Sequence, residues 1–336
     1  MEVLFFILSY IVFLVLAVTA LSRLIKKGIL KQGLFVFSFL ILAMFTFLLY
    51  LNIQEEWVDL DFTSKINSFK EVYSNSQPPS QIVSNDSNLP FIVHENDITR
   101  GFESYKEAVI YAQEIQSNVY FLNDSHIVWR YDFQLPLSIL LDAPLISQLP
   151  ELPRGCEVTS LAMFLNYAGV NVNKMVLADE VKKDSTPYQK KGDQVFFGNP
   201  YDGFVGDMYN INNPGYGVYH GPIKELAEFY LPNRVIDITG TDFQHILYHV
   251  SNGNPVWIIS NVTFSKLPEN LFETWDTPSG SVKITYKEHS VLVTGFDDDY
   301  VYFNDPLANV KNRKIPQRDF VEAWEQMGKQ AITFVN

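Results

Sequence analysis

A single cysteine, Cys156, stands at the place in the chain best suited to make it a nucleophile. It follows a Pro-Arg-Gly turn and opens a run in which Val158, Leu161, Ala162 and Leu165 repeat at helical spacing, with Gly169 as terminator. A thiol in the first turn of a helix faces unpaired N–H groups and the positive end of the macrodipole. Both favour the thiolate and pull the pKa down from about 8.5. A fall of about two units, worth roughly 2.7 kcal/mol, would turn a few per cent of nucleophile into a majority. The competing reading is a packed, inert cysteine, since free thiols are among the most buried side chains.

The stretch HSVLVTGFDDDYVYFNDP, His289 to Pro306, could supply the partners of that thiol. Its pattern is a core strand, an acidic turn at Asp297–Asp299 and a returning strand over Tyr300–Asn304. His289 opens one arm of this hairpin and Asp305 closes the other. The start of one antiparallel strand lies beside the end of the next, so the two side chains can meet. A carboxylate on one imidazole nitrogen fixes the tautomer and leaves the other nitrogen to take the thiol proton. Nucleophile, base and orienter together suit thiol acyl transfer. Taken singly, His289 reads as a satisfied core histidine and Asp305 as a turn residue before proline. Gln148, eight residues ahead of the cysteine, could add a side-chain amide to the Cys156 backbone N–H as oxyanion donors.

These residues need a scaffold, and residues 141–336 are expected to form one domain. After the cysteine helix come a helix over Lys174–Lys182 and a long irregular stretch over residues 183–222, rich in Gly, Pro, Asn and Tyr. Its aromatic content argues against disorder, and it is read as a substrate-facing wall that includes Gly217 and Tyr219; a packed excursion is the alternative. Then follow a helix over Ile223–Tyr230, a strand over Arg234–Thr239, a helix over Asp242–Ser251 and a buried strand over Asn254–Val262. His245 and His249 share a face of the third helix at i, i+4, a metal-compatible spacing without a third ligand nearby, so they read as a surface or half-buried pair. A second long connection, Thr263–Glu288, offers Trp275 as a further substrate contact. No metal and no cofactor are expected.

Ahead of this domain, residues 89–135 read as a small β-α-β-β module, with a strand at Phe91–Glu95, a helix over Ser104–Gln116 capped by Ser104, and a hairpin around Asn123-Asp124. Residues 54–88 read as a polar linker. Residues 3–22 and 33–51 are apolar enough for a two-span transmembrane hairpin within 1–53. Arg23, Lys26, Lys27 and Lys31 lie between them, which puts that loop in the cytoplasm and the rest of the chain on the outer face of the cell membrane. A net charge of −13 argues against nucleic acid as a partner. One cysteine excludes an internal disulfide.

Q-x7-C-E-V-T-S-L-A-M, E-H-S-V-L-V-T-G-F-D and V-Y-F-N-D-P, in this order, resemble the papain-like cysteine peptidases of family thirty-nine. The likeness runs from about Leu141 to the C-terminus and is closer to membrane-anchored, stand-alone relatives in Gram-positive bacteria than to the peptidase domains of bacteriocin exporters. It implies an α+β papain-like fold, with the cysteine helix packed on an antiparallel sheet. It further implies Cys156 as nucleophile, His289 as general base and acid, Asp305 as its orienter and Gln148 in the oxyanion hole. Exporter peptidases of that family carry Cys-Gly where this chain has Cys156-Glu157, so their double-glycine specificity does not transfer. The expected function is hydrolysis of a peptide or protein substrate through a thioester acyl-enzyme. A cell-wall peptide substrate on the same triad, or a non-catalytic binding protein of this fold, are the alternatives.

Overall fold

The structure, a computed structural model, describes residues 89–122 and 126–336. Their longest helix has 12 residues, about 18 Å at 1.5 Å per residue, against roughly 30 Å of hydrocarbon. Among the described residues no helix is long and apolar enough to cross a membrane. The described residues therefore form a mixed α/β architecture with no membrane-spanning helix, which corrects the expected fold class, and nothing in them carries the expected location on the outer face of the cell membrane. The segments 3–22 and 33–51 lie outside the described residues, as does the whole of the expected linker, 54–88.

Residues Val83–Asn336 group as one compact unit. It begins with β1 (Phe91–Glu95), β2 (Ile98–Phe102), α1 (Tyr105–Glu114), β3 (Val119–Phe121) and β4 (His126–Trp129), in a four-stranded sheet of order β2-β1-β3-β4. The order β-β-α-β-β corrects the expected β-α-β-β. The omitted β2 is a half-exposed edge strand without apolar alternation, and it follows a turn in which Asn96 is left-handed at φ 53°. Ser104 caps α1 by accepting from the Glu107 N–H, and Tyr105, Ala108, Val109 and Ala112 form its buried stripe. The hairpin tip at residues 123–125 lies outside the described residues.

The chain continues through β5 (Ile139–Leu140), α2 (Cys156–Tyr167), α3 (Lys174–Glu180), β6 (Lys183–Asp184), β7 (Gln189–Lys191), β8 (Gln194–Phe196) and β9 (Phe204–Val205). Next come α4 (His220–Tyr230), β10 (Val235–Asp237), α5 (Phe243–Ser251), β11 (Val256–Asn261), β12 (Glu273–Thr277) and β13 (Gly280–Ile284). The last elements are β14 (Glu288–Phe296), β15 (Tyr300–Asp305), β16 (Val310–Pro316), α6 (Gln317–Gln326) and β17 (Ala331–Phe334). The central sheet has the order β10-β17-β11-β14-β15-β16, with β5 also on β14, and every pairing in it is antiparallel.

Strand alternation decides which helix lies on which face of this sheet. Trp257, Ile259 and Leu292 face α2 and pack with its Val158, Leu161, Ala162 and Leu165. Val256, Ile258, Val291 and Val293 face the other way, toward α5, α6 and the module ahead of them. All ten residues from Cys156 to Leu165 are buried, so α2 is covered all round and not only along its apolar stripe. Its polar members are satisfied locally: Thr159 donates to Gly155 O at 2.6 Å and Ser160 to Ser290 O at 3.1 Å. The helix ends where Gly169 adopts φ 91°, as the sequence predicts.

Thr263–Glu288 is not a structureless connection. Trp275, Thr277, Val282 and Ile284 alternate with exposed residues, and this period of two builds the β12–β13 hairpin. His245 and His249 are both buried and pack round Tyr105 of α1, whose hydroxyl pairs with His245 Nδ1 at 3.1 Å. They are buried, not a surface or half-buried pair, and form part of the seam between the first sheet and the main core. Burial pushes His245 down to about 4 and His249 down to about 3, with His245 adding to the effect on His249.

A histidine whose pKa is lower in the folded chain is neutral there and protonated when unfolded. Its stability contribution is complete above the unfolded pKa of about 6.5 and is lost as pH falls below it. Replacing His249 by Phe should therefore make the chain lose about 2 kcal/mol less than wild type between pH 7 and pH 5. Urea denaturation at the two pH values measures this, and identical losses would contradict it.

Candidate active site

Asp305 ends β15 with its carboxylate fully occupied. Oδ1 accepts from His289 Nε2 and from the backbone N–H groups of Leu307 and Ala308, each at 3.0 Å, and Oδ2 accepts from Arg313 at 2.7 Å. The β14–β15 register pairs Leu292 with Asn304. Continued one step, it puts Asp305 on the same face as His289 and one position along, the diagonal contact expected across an antiparallel pair. Burial works against the charged carboxylate. The bond and charge of His289, helped by Ala308 and Arg313, outweigh it and hold Asp305 well below the usual carboxylate range. Phe264 lies edge-on to His289 and under the Arg313 guanidinium at 4.8 Å, so one ring supports both partners of the acid. His289 Nδ1 has no hydrogen-bond partner among the described residues.

Cys156 is the first residue of α2, and no side chain caps the helix there. Gly155 at the cap is held to glycine by space, because a Cβ would lie 2.6 Å from that of Leu152. The sulfur rests against β14 at the two residues that flank His289, the Glu288 carboxyl and the Ser290 backbone. Its hydrogen bond runs to Glu157 Oε2 at 3.3 Å and not to the imidazole. Alternation along β14 is the reason: Glu288 and Ser290 face α2, while His289 faces Phe264 and Asp305. The surroundings act against the thiolate that the helix start by itself favours. Burial first, then the charges of Glu157 and Glu288, push the Cys156 thiol well up, against a smaller opposite effect of Ser290.

Glu157 is buried and spans two elements, with Oε1 accepting from the Val218 N–H at 2.7 Å while Oε2 takes the thiol hydrogen. Glu288 Oε1 is buried without a partner. Burial raises both carboxyls, and the charge of Glu157 raises Glu288 further. Gly217 lies directly over this pair, since a Cβ there would be 2.2 Å from Glu157 Oε1 and 3.1 Å from Glu288 Oε2. The segment expected as a wall is thus ordered by the nucleophile's neighbour. It is also clamped by Arg154, which donates to the carbonyls of Asp207, Asn210 and Ile211.

The other sequence-predicted positions divide. Gln148 is buried, and its amide nitrogen donates to Leu152 O at 3.1 Å and Pro153 O at 3.2 Å. With both hydrogens holding the turn before the cysteine, it aims no N–H at an oxyanion. Tyr219 and Trp275, 3% and 1% exposed, are internal members of an aromatic stack, so they are corrected from substrate contacts to packing. Tyr216 contacts both, through a 2.7 Å hydroxyl pair with Tyr219 and an edge contact with Trp275. Two rings at the edge of that stack are exposed, Tyr286 at 58% beside Tyr216 and Tyr201 at 46% beside Tyr219. Sequence reasoning missed Glu157, Glu288, Phe264 and Arg313. A signal existed for Glu157, an acid at the start of an otherwise largely apolar run beside a proposed catalytic residue, whereas Glu288, between Lys287 and His289, gave none beyond its adjacency to the histidine.

Replacing Asp305 by Ala strands a buried imidazole, a guanidinium and two N–H groups together, and should lower unfolding free energy by about 3–5 kcal/mol. Arg313→Ala, at a partly exposed side chain, should cost only about 1 kcal/mol. Urea melts of the two variants check the ranking, and equal losses would refute it.

Residues 140–332 match the family described as Peptidase_C39 like family, more than half of the chain. The uncharacterized protein YvpB of Bacillus subtilis (strain 168) is 49% identical over 196 residues, which cover 57% of this chain and 74% of that protein. A crystal structure from Bacillus anthracis, described by likeness as a C39-like peptidase, superposes with a TM-score of 0.56 at 48% identity. That match covers 59% of this chain and 98% of the solved one. The fold that carries Cys156, His289 and Asp305 is therefore a shared one, and this chain belongs to the Peptidase_C39 like family.

Proposed function

We propose that the chain is a cysteine peptidase that hydrolyses a peptide or protein substrate through a thioester. The observation that carries this reading is the placement of an uncapped helix-start thiol against the two residues flanking an Asp-held histidine. The sulfur turns from Glu157 toward His289, whose free Nδ1 takes its proton as Sγ attacks the substrate carbonyl carbon. The Cys156 backbone N–H, at the positive end of α2, faces the developing oxyanion. The imidazolium, stabilised by Asp305, returns the proton to the leaving amine, and water activated by His289 then releases the acyl group. Gln148 keeps the turn before Cys156 in shape. Tyr286 is the aromatic surface on which a substrate side chain can rest.

A second reading is favoured by the Cys156–Glu157 hydrogen bond and the raised thiol: a binding protein of this fold with an inert sulfur. An epoxysuccinyl probe separates the two. The peptidase should label at Cys156 and lose labelling in Cys156→Ala. It should also cleave members of a peptide mixture read by mass spectrometry, with His289→Ala slowing cleavage by about 10²–10⁴-fold. A wild-type protein inert to the probe from pH 5 to pH 9 would leave only the binding reading.

A further inference from the structure

The strongest unexplained feature beside the nucleophile is its pair of acids. Sγ of Cys156 and one carboxylate oxygen from each of Glu157 and Glu288 all lie within 4.8 Å of one another. Neither acid has a basic partner among the described residues, and Glu288 Oε1 is buried with no hydrogen bond. The titratable groups that face the pair are Cys156 beside Glu157 on α2, Glu288 itself on β14, and the buried Tyr216 and Tyr219 from the wall. None of these brings a positive charge. Two desolvated carboxylates at this separation cannot both ionise near neutral pH, so they titrate as a unit.

We propose that Glu157 and Glu288 share one proton and together hold Cys156 as a protonated, resting thiol, so that Glu157 is a positioning residue that must release the sulfur toward His289. The proposal rests on the reading of Cys156 as nucleophile and adds what restrains it. Glu157 suits the role because each oxygen reports a different contact, Oε2 the thiol and Oε1 the Val218 N–H. The carboxyl fills the space that a side chain at Gly217 would take, so the wall packs directly on it. A substrate that displaces the Gly215–Tyr219 segment therefore also frees the thiol hydrogen. In that step the S–H bond breaks, an N–H bond forms at His289 Nδ1, and the shared carboxyl proton stays where it is.

The test uses the full chain and iodoacetamide as the thiol probe, with rates followed from pH 5 to pH 10. In Glu157→Gln the amide can donate to the thiolate, where the carboxylate could only accept from the thiol. Alkylation at pH 7 should rise about tenfold and its limb should move down by about one pH unit. Glu288→Gln should shift it in the same direction by less, as it touches no thiol hydrogen. Should a variant fail to fold, the wild-type infrared spectrum decides alone: a protonated carboxylic acid band should persist at pH 7 and vanish on raising the pH. Superimposable alkylation profiles in folded variants, or no such band in wild type, would overturn the proposal. Cleavage of peptides with unshifted profiles would remove the restraint and keep the peptidase. Shifted profiles with no cleavage by any form would keep the restraint and count against the peptidase alone.

Discussion

Everything at the site depends on the alternation of three residues at the start of β14. Successive side chains of a strand point to opposite faces, so Glu288 and Ser290 meet α2 while His289 turns to Asp305 and Phe264. The same strand therefore presents an acid to the sulfur and a base to its orienter. A slip of one residue would exchange them, putting the imidazole under the helix and the carboxyl among aromatic rings. The register is pinned by six antiparallel pairs to β11, from Val256–Val293 to Asn261–Glu288. The buried apolar residues of both faces make any slip expensive.

The three acids at the site lie in two opposed environments, and this separates their roles. Asp305 is buried but receives four donors, so its charge is stabilised and it can steady an imidazolium. Glu157 and Glu288 are desolvated against each other with few donors between them, so a proton is retained there. Burial acts alike on all three carboxyls, and the number of N–H groups aimed at each decides its ionisation. The helix start at Cys156 would by itself favour a thiolate. Burial of the sulfur, together with two acids within 4.8 Å, outweighs a partial charge of about half a unit. The resting site is thus a thiol with its proton held away from the base.

The long stretch after α3 shows how a segment without regular structure can still be fixed. Arg154 satisfies three carbonyls of the 207–211 turn, and Glu157 satisfies the Val218 N–H. Backbone groups that no strand pairs are met by side chains adjoining the cysteine. This stretch and Cys156 therefore share supports, so a displacement of one is felt at the other.

Much of the scaffold was legible from the chain alone. The cysteine helix and its Gly169 stop, the capped α1 and the hairpin joining His289 to Asp305 follow from periodicity, capping and turn residues, all of which act over a few positions. The β12–β13 hairpin was equally legible in its period of two but was hidden by the expectation of a loop. Edge strand β2 carried no such signal, and apolar runs could not by themselves establish a membrane hairpin. What only the tertiary structure decided is which groups meet: Glu157 with Glu288, Tyr105 with the two histidines of α5, and the thiol with an acid in place of the imidazole. Tyr105 and His245 are 140 positions apart and Glu157 and Glu288 come from different elements, beyond the reach of any local rule, and such contacts set desolvation, which no linear pattern encodes. Spacing along the chain selects the elements, whereas ionisation depends on what the folded neighbours leave around each charge.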